Sequence, residues 1–197
     1  MGTAGHVVVM LAIGYLMGSI PFARLFTVRA GVDLFDIGTG NPGAANVFRK
    51  VDRRLGAAVF VADGLKGAIP VVIAWLLGAP QDLWVVAGAA AVVGHWYPVF
   101  NRFRGGAGLA AGAGAVIALM PLAGVIGTIV GLLTIARFKS SGHAALVGLI
   151  VMVLLWFVIG ADWPVGSEGP AVVGSIGIAV ALFSKAALKG WKPGRKD

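Results

Sequence analysis

Five stretches of this chain, near residues 6–28, 56–78, 83–101, 143–160 and 169–188, are apolar over about the 20 residues that a helix needs to cross a bilayer core. A sixth block, 108–136, carries no charge, is longer than one helix needs and short for two, and has Pro121 near its middle. The charges between the runs choose the topology. If the block is a hairpin turning at Met120 and Pro121, the chain has seven spans, with its N-terminus outside and its C-terminus in the cytoplasm. Fifteen of the sixteen Lys and Arg residues then lie on the inner side: Arg24, Arg29, Arg49, Lys50, Arg53, Arg54, Arg102, Arg104, Arg137, Lys139, Lys185, Lys189, Lys192, Arg195 and Lys196. The opposite side carries only Asp82, Asp162 and Glu168. A single span there would export Arg137, Lys139 and the basic tail, against the positive-inside bias.

The expected fold is therefore all-α, a polytopic membrane protein of seven transmembrane helices whose two central helices are short or re-entrant, with residues 1–197 forming one domain. The first run is too long for a cleaved signal's hydrophobic region and no basic residue precedes it, so it is read as a retained span. With 58% hydrophobic and 12% charged residues, the net charge of +8 marks cytoplasmic loops and predicts no nucleic-acid partner. The absence of cysteine removes disulfides, thiol ligands and thiol nucleophiles. No cluster has metal-ligand spacing, so neither metal nor cofactor is expected, and no obligatory protein partner is predicted.

Small residues at helical spacing, Gly14 with Gly18 and Gly108 with Gly112, suit close helix packing. In "GSIPFARL", Pro21 lacks an N–H and clashes with the carbonyl four residues back, so the first span should bend near its inner end, exposing the Met17 carbonyl and involving Ser19. The sixteenth basic residue, Lys66, follows Asp63 by three positions in the second span, where the two share a helix face. Charges at that depth are costly and face the bundle interior, either as a structural ion pair or as part of a site. His95, in "GHWYPVF", approaches the inner face as a hydrogen-bonded linker or as a base. Trp96 and Tyr97 beside it suit an interfacial belt.

Two glycine-bearing segments, "GTGNPGAANVFR" after the first span and "FRGGAG" after the third, fall on the cytoplasmic side. Glycine lets backbone N–H groups close around an anion, and arginine supplies a planar fork for phosphate oxygens. Neither segment has the Walker pattern, and each alone reads equally as a turn.

In order along residues 8–145, "GSIPFARL", "GTGNPGAANVFR", "DGLKG", "GHWYPVFNRFRGGAG" and "ARFKSS" resemble the bacterial acyl-phosphate-dependent glycerol-3-phosphate acyltransferases, the PlsY family. The resemblance implies transfer of a fatty acyl group from acyl phosphate to the sn-1 hydroxyl of glycerol 3-phosphate, giving lysophosphatidate and phosphate in phospholipid synthesis at a bacterial inner membrane. It implies phosphate binding by Thr39, Gly40, Asn41, Gly43, Asn46 and Arg49, and by Arg104, Gly105 and Gly106. His95, Ser140 and Lys66 become the catalytic candidates, with Ser19 and Asp63 as polar support. The proton acceptor stays open between His95 and a substrate phosphate.

The chain departs from that pattern where the family usually has serine, threonine and lysine and this sequence has Thr39, Ala45 and Ala107. The family's C-terminal histidine and asparagine are also missing from "FSKAALKGWKPGRKD". A lost charge-assisted contact at position 107 is worth about 1.5–3 kcal/mol, or about one to two decades in rate if it acts in the transition state. Two alternatives accompany the leading expectation: a catalytically weakened paralogue that binds an anionic lipid or acyl phosphate, and a small transporter using Asp63, Lys66 and His95.

Overall fold

The computed structural model describes residues 3–138, 141–159 and 169–190, and these are helical with short connections. In chain order the helices are α1 (Thr3–Gly18), α2 (Phe22–Thr27), α3 (Ala44–Lys50), α4 (Arg53–Leu76), α5 (Gln81–Trp96), α6 (Leu109–Leu119), α7 (Pro121–Phe138), α8 (Ser141–Ile159) and α9 (Gly169–Gly190). Tight 3-10 turns cover Val28–Ala30 and Val99–Asn101. Among the described residues four segments are long and apolar enough to cross a membrane: Gly5–Ala30, Arg53–Leu76, Gln81–Asn101 and Pro121–Phe138. Shorter apolar helices run over Leu109–Leu119, Gly142–Leu155 and Val172–Leu182.

The first span breaks where Pro21 requires it, between α1 and α2. The groups freed there find partners differently from the sequence expectation. The Met17 carbonyl is not left open, because the Ile20 N–H tightens back onto it at 3.2 Å. Ser19, fully buried, turns its hydroxyl back to the Tyr15 carbonyl at 2.8 Å. The carbonyl offered to the rest of the molecule is that of Ile20. The 108–136 block divides as the charges require, with α6 ending at Leu119 and α7 starting on Pro121, a first helical position where a missing N–H costs nothing. At 11 residues, α6 is short, about 16 Å long at 1.5 Å per residue. The 18 residues of α7 make it a full-length span instead.

Small residues set the close approaches. A Cβ on Gly14 would strike the Ala87 carbonyl oxygen, and one on Gly18 the carbonyl of Ala91, so α1 lies backbone to backbone on α5. Gly67 faces the Ala111 carbonyl and Gly114 the Gly64 carbonyl, which locks α4 to α6 in the same way. The main apolar core, with Val71, Val92, Leu119, Met152 and Ile178, joins α4, α5, α6, α8 and α9. A smaller cluster of Ala23, Leu34, Val47 and Val59 fixes α3 and its preceding loop against α2 and the start of α4. Large side chains such as Leu11, Trp75, Leu76 and Leu133 point outward, as expected of surfaces that meet lipid.

Candidate active site

The first glycine loop is shaped by a single asparagine. Asn46, on α3 and 1% exposed, donates from Nδ2 to the carbonyls of Leu34 at 3.2 Å and Ile37 at 3.1 Å. Its Oδ1 accepts from the Thr39 N–H at 3.2 Å. Gly38 adopts φ +54°, and a Cβ there would run into Asn46 Oδ1, so glycine is required on both grounds. The loop closes with the Gly43 N–H bonded to the Asn41 carbonyl at 2.8 Å. Asn41 Oδ1 is enclosed and has no hydrogen-bond partner among the described residues. A buried acceptor of that kind calls for a donor. Thr39 and Arg49 are exposed, Arg49 on the last turn of α3.

The second glycine segment leaves α5 through a strained corner. Arg102 and Phe103 take φ of +53° and +59° without being glycine, a conformation that persists only when its surroundings impose it. Here the constraints are the Phe103 N–H on the Pro98 carbonyl at 2.9 Å and Asn101 Nδ2 on the Arg104 carbonyl at 2.7 Å. The chain then folds back on the end of α5. Gly106 N–H meets the His95 carbonyl at 3.2 Å, and Trp96 Nε1 donates to the Ala107 carbonyl at 2.9 Å. A Cβ on Gly105 would collide with the carbonyls of His95 and Trp96. Trp96 therefore pins this segment, beyond the interfacial role its position suggests.

The two segments meet. Arg24 of α2 donates to Asn101 Oδ1 at 2.9 Å. The Arg104 guanidinium lies 3.9 Å from the centroid of the Phe35 ring, just ahead of the first glycine loop. Gly106 sits between the loops: a Cβ on it would lie 2.5 Å from His95 Nε2 and 3.3 Å from the Pro42 carbonyl oxygen.

Beneath this junction lies a buried charged cluster. Asp63 and Lys66, 2% and 4% exposed, pair at 2.9 Å across one turn of α4. Lys66 Nζ also donates to the Ile20 carbonyl at 2.7 Å, so the opening made by Pro21 is filled by an ammonium from the second span. His95, 6% exposed, places Nδ1 3.8 Å from Asp63 Oδ1. The imidazole thus has a carboxylate toward one edge and the junction of the two glycine segments at the other. Among the described residues no group of three or more His, Cys, Asp or Glu side chains is arranged to hold a metal.

Of the residues singled out from sequence, Asp63, Lys66, His95, Gly105, Gly106 and the Asn41–Asn46 loop converge on one region, with Ser19 capping the broken helix beside it. Ser140 lies outside the described residues. Arg24, Phe35 and Asn101 were missed as site residues. "GSIPFARL" and "NRFRGGAG" contain two of them, but only contact between the loops gives them a role.

Residues 8–189 match the family model described as glycerol-3-phosphate acyltransferase. Among relatives with that name, the chain is 41% identical to one from Anaeromyxobacter sp. (strain Fw109-5) over 85% of this chain and 86% of the relative. It is 41% identical to one from Bradyrhizobium sp. (strain BTAi1 / ATCC BAA-1182) over 79% of each. It is 48% identical to one from Geobacter metallireducens, where the match spans 60% of this chain and 61% of the relative. The fold is similar to that of a crystal structure of PlsY, an integral membrane glycerol 3-phosphate acyltransferase, in its glycerol 3-phosphate form. That match has a TM-score of 0.80 and 32% identity and covers 92% of this chain and 88% of the other. The lysophosphatidic acid form of PlsY matches with a TM-score of 0.74 and 31% identity, covering 94% and 88%.

Proposed function

The chain belongs to the glycerol-3-phosphate acyltransferase family, and on that footing we infer that it is an integral membrane enzyme of phospholipid synthesis. It transfers a fatty acyl group from acyl phosphate to the sn-1 hydroxyl of glycerol 3-phosphate. The observation that carries the reading is the meeting of the two glycine segments at Gly106, which lies against the imidazole of His95, while Nδ1 of that ring faces Asp63.

The chemistry asks little beyond placement and charge, because acyl phosphate is already activated. The sn-1 oxygen attacks the acyl carbonyl carbon and a C–O ester bond forms. The bond from that carbon to the phosphate oxygen breaks, and inorganic phosphate leaves with its electron pair. The proton of the hydroxyl passes to His95 Nε2 or to a substrate phosphate. Backbone groups of Gly38–Gly43, with Thr39 and Arg49, hold one phosphate, and Arg104, Gly105 and Gly106 hold the other. Asn41 Oδ1 accepts from a glycerol hydroxyl. Lys66 and Asp63 position His95 and the end of the first span. Ser140 enters this scheme by resemblance alone. Holding both reactants in line and stabilising charge on the carbonyl oxygen supplies the acceleration.

In this reading residues 1–197 act as one domain. The four long apolar segments and three shorter ones are seven spans, with the N-terminus outside and the site opening to the cytoplasmic face of a bacterial inner membrane. Purified protein supplied with acyl phosphate and glycerol 3-phosphate should release inorganic phosphate and form lysophosphatidate, and Arg49→Ala should lose most of that activity. Saturable acyl phosphate binding without release would identify the binding-only alternative instead.

A further inference from the structure

Phe35 belongs to the approach to the first glycine loop, yet the group over its ring comes from the second glycine segment. The Arg104 guanidinium carbon lies 3.9 Å from the ring centroid. The backbone beneath that ring is tied on both sides. The Phe35 N–H donates to Asp33 Oδ1 at 2.9 Å, and the Asp36 N–H to the Asp33 carbonyl at 3.2 Å. The flanking carbonyls of Leu34 and Ile37 accept from Asn46 Nδ2 at 3.2 and 3.1 Å. Leu34 is itself buried in the cluster with Ala23, Val47 and Val59. The ring is therefore a platform fixed before any ligand arrives.

Arg104 is fixed at its other end. Its N–H donates to the Asn101 carbonyl at 3.0 Å, and its own carbonyl accepts from Asn101 Nδ2 at 2.7 Å. Its side chain is exposed, and among the described residues nothing accepts a hydrogen bond from the guanidinium. An arginine lying over an aromatic ring uses its face for that contact and keeps its in-plane fork of N–H donors for an anion. Arginine carries among the largest rotamer entropies of the side chains, so holding it in advance removes a cost from anion binding. With alanine at position 107, Arg104 is also the one cation in the stretch Phe103–Gly108.

We propose that Phe35 is a positioning residue: its ring carries Arg104 across from the second glycine segment and presents the guanidinium to a phosphate group bound where the two segments meet. Phe35 touches no reacting atom and acts through Arg104. The assignment rests on the acyltransferase reading for its substrates, whereas the contact between ring and guanidinium does not.

Initial rates should be measured with acyl phosphate and glycerol 3-phosphate varied in turn. Phe35→Leu keeps an apolar side chain and removes the ring face. It should raise the same KM that Arg104→Gln raises, by roughly three- to thirtyfold, and leave the other within about twofold. Phe35→Tyr keeps the ring and should stay within about twofold of wild type in both. Placed in the Arg104→Gln background, Phe35→Leu should change neither KM further, because residues that act as a unit are not additive. An effect of Phe35→Leu that persists in that background, or a tyrosine variant as impaired as the leucine one, makes the ring a packing element and overturns the proposal. Wild-type KM values in Phe35→Leu overturn it as well.

A turnover-free arm keeps this claim apart from the acyltransfer reading. Inorganic phosphate should raise the unfolding temperature of the wild-type protein and of Phe35→Tyr in detergent, each measured against its own phosphate-free baseline, and should raise that of Phe35→Leu less. If the wild type releases no phosphate from acyl phosphate yet shows this ring-dependent shift, the acyltransfer reading fails and the role of Phe35 stands. If phosphate shifts Phe35→Leu as much as wild type, Phe35 does not position Arg104, whatever the turnover.

Discussion

Arg24 Nη1 donates to Asn101 Oδ1 at 2.9 Å, joining α2, which continues the first apolar segment, to the corner that follows α5. Asn101 simultaneously donates to the Arg104 carbonyl at 2.7 Å and is 6% exposed. One amide thus holds the strained Arg102–Phe103 corner and fixes where Arg104 begins its reach toward Phe35. Asn101→Leu leaves the Arg104 carbonyl and the Arg24 guanidinium without this partner, a cost of about 1–3 kcal/mol. Asn101→Asp keeps the acceptor for Arg24 and loses the donor to Arg104. Phosphate-release rates should fall about tenfold or more for leucine and by less for aspartate. Equal rates for the two variants would show that the Arg24 contact contributes nothing.

Gly106 permits the loops to close on His95. A methyl group there would sit 2.5 Å from Nε2 and 3.3 Å from the Pro42 carbonyl oxygen. The imidazole must move or the loops must part, and both disturb a geometry in which a displacement of about 1 Å costs on the order of a hundredfold in rate. Gly106→Ala should therefore lose at least about two decades of activity while keeping its elution volume and most of its thermal stability. Gly43 is the contrast, since a Cβ there would find only the Asn41 side chain, at 3.3 Å. Gly43→Ala should be the milder change in the same assay.

Much of this arrangement was legible in the sequence, and the illegible part has a physical pattern. Pro21 announces a helix break because it lacks an N–H, and the 108–136 block announces a hairpin because basic residues must stay on one side. Asp63 and Lys66 pair through spacing alone. Which carbonyl Lys66 would reach was not legible, because Ile20 comes into range only after α4 packs beside the broken first span. Nor was the approach of His95 to Asp63, which depends on how α4 and α5 sit together. Arg24 had a sufficient explanation in the positive-inside bias, and Phe35 carries no chemical signal until Arg104 lies over it. Trp96 likewise fits an interfacial belt in sequence and pins Ala107 in the structure. Local rules find elements and in-helix pairs; contacts between loops need the packing.

The Asp63–Lys66 pair separates stability from activity. Lys66→Met alone leaves a carboxylate buried without its nearest cation, and breaking one side of such a pair costs about 3–5 kcal/mol. Replacing both, as in Asp63→Leu with Lys66→Met, removes two buried charges together and should restore much of the lost stability. The double variant still lacks the carboxylate that faces His95 Nδ1 at 3.8 Å. Thermal unfolding in detergent should therefore rank the double variant above Lys66→Met, while both stay well below wild type in phosphate release. A double variant that recovered activity along with stability would show that the pair serves the fold alone.

Asn46 offers the finest test of the first glycine loop because its replacement by aspartate changes almost no volume. The amide donates twice, to the Leu34 and Ile37 carbonyls, and accepts once, from the Thr39 N–H. An ionised aspartate keeps the one acceptance and turns an oxygen toward two carbonyl oxygens, with no proton to offer either. Buried at 1% exposure, that repulsion adds to the penalty of a desolvated charge, so Asn46→Asp should be worse than Asn46→Ala, which only leaves the loop unbraced. Both should raise KM for the phosphate substrate held by Gly38–Gly43, aspartate more because its charge also opposes the bound anion. If Asn46→Asp binds substrate as well as Asn46→Ala does, the loop is held by its glycine geometry and the α3 core rather than by this amide.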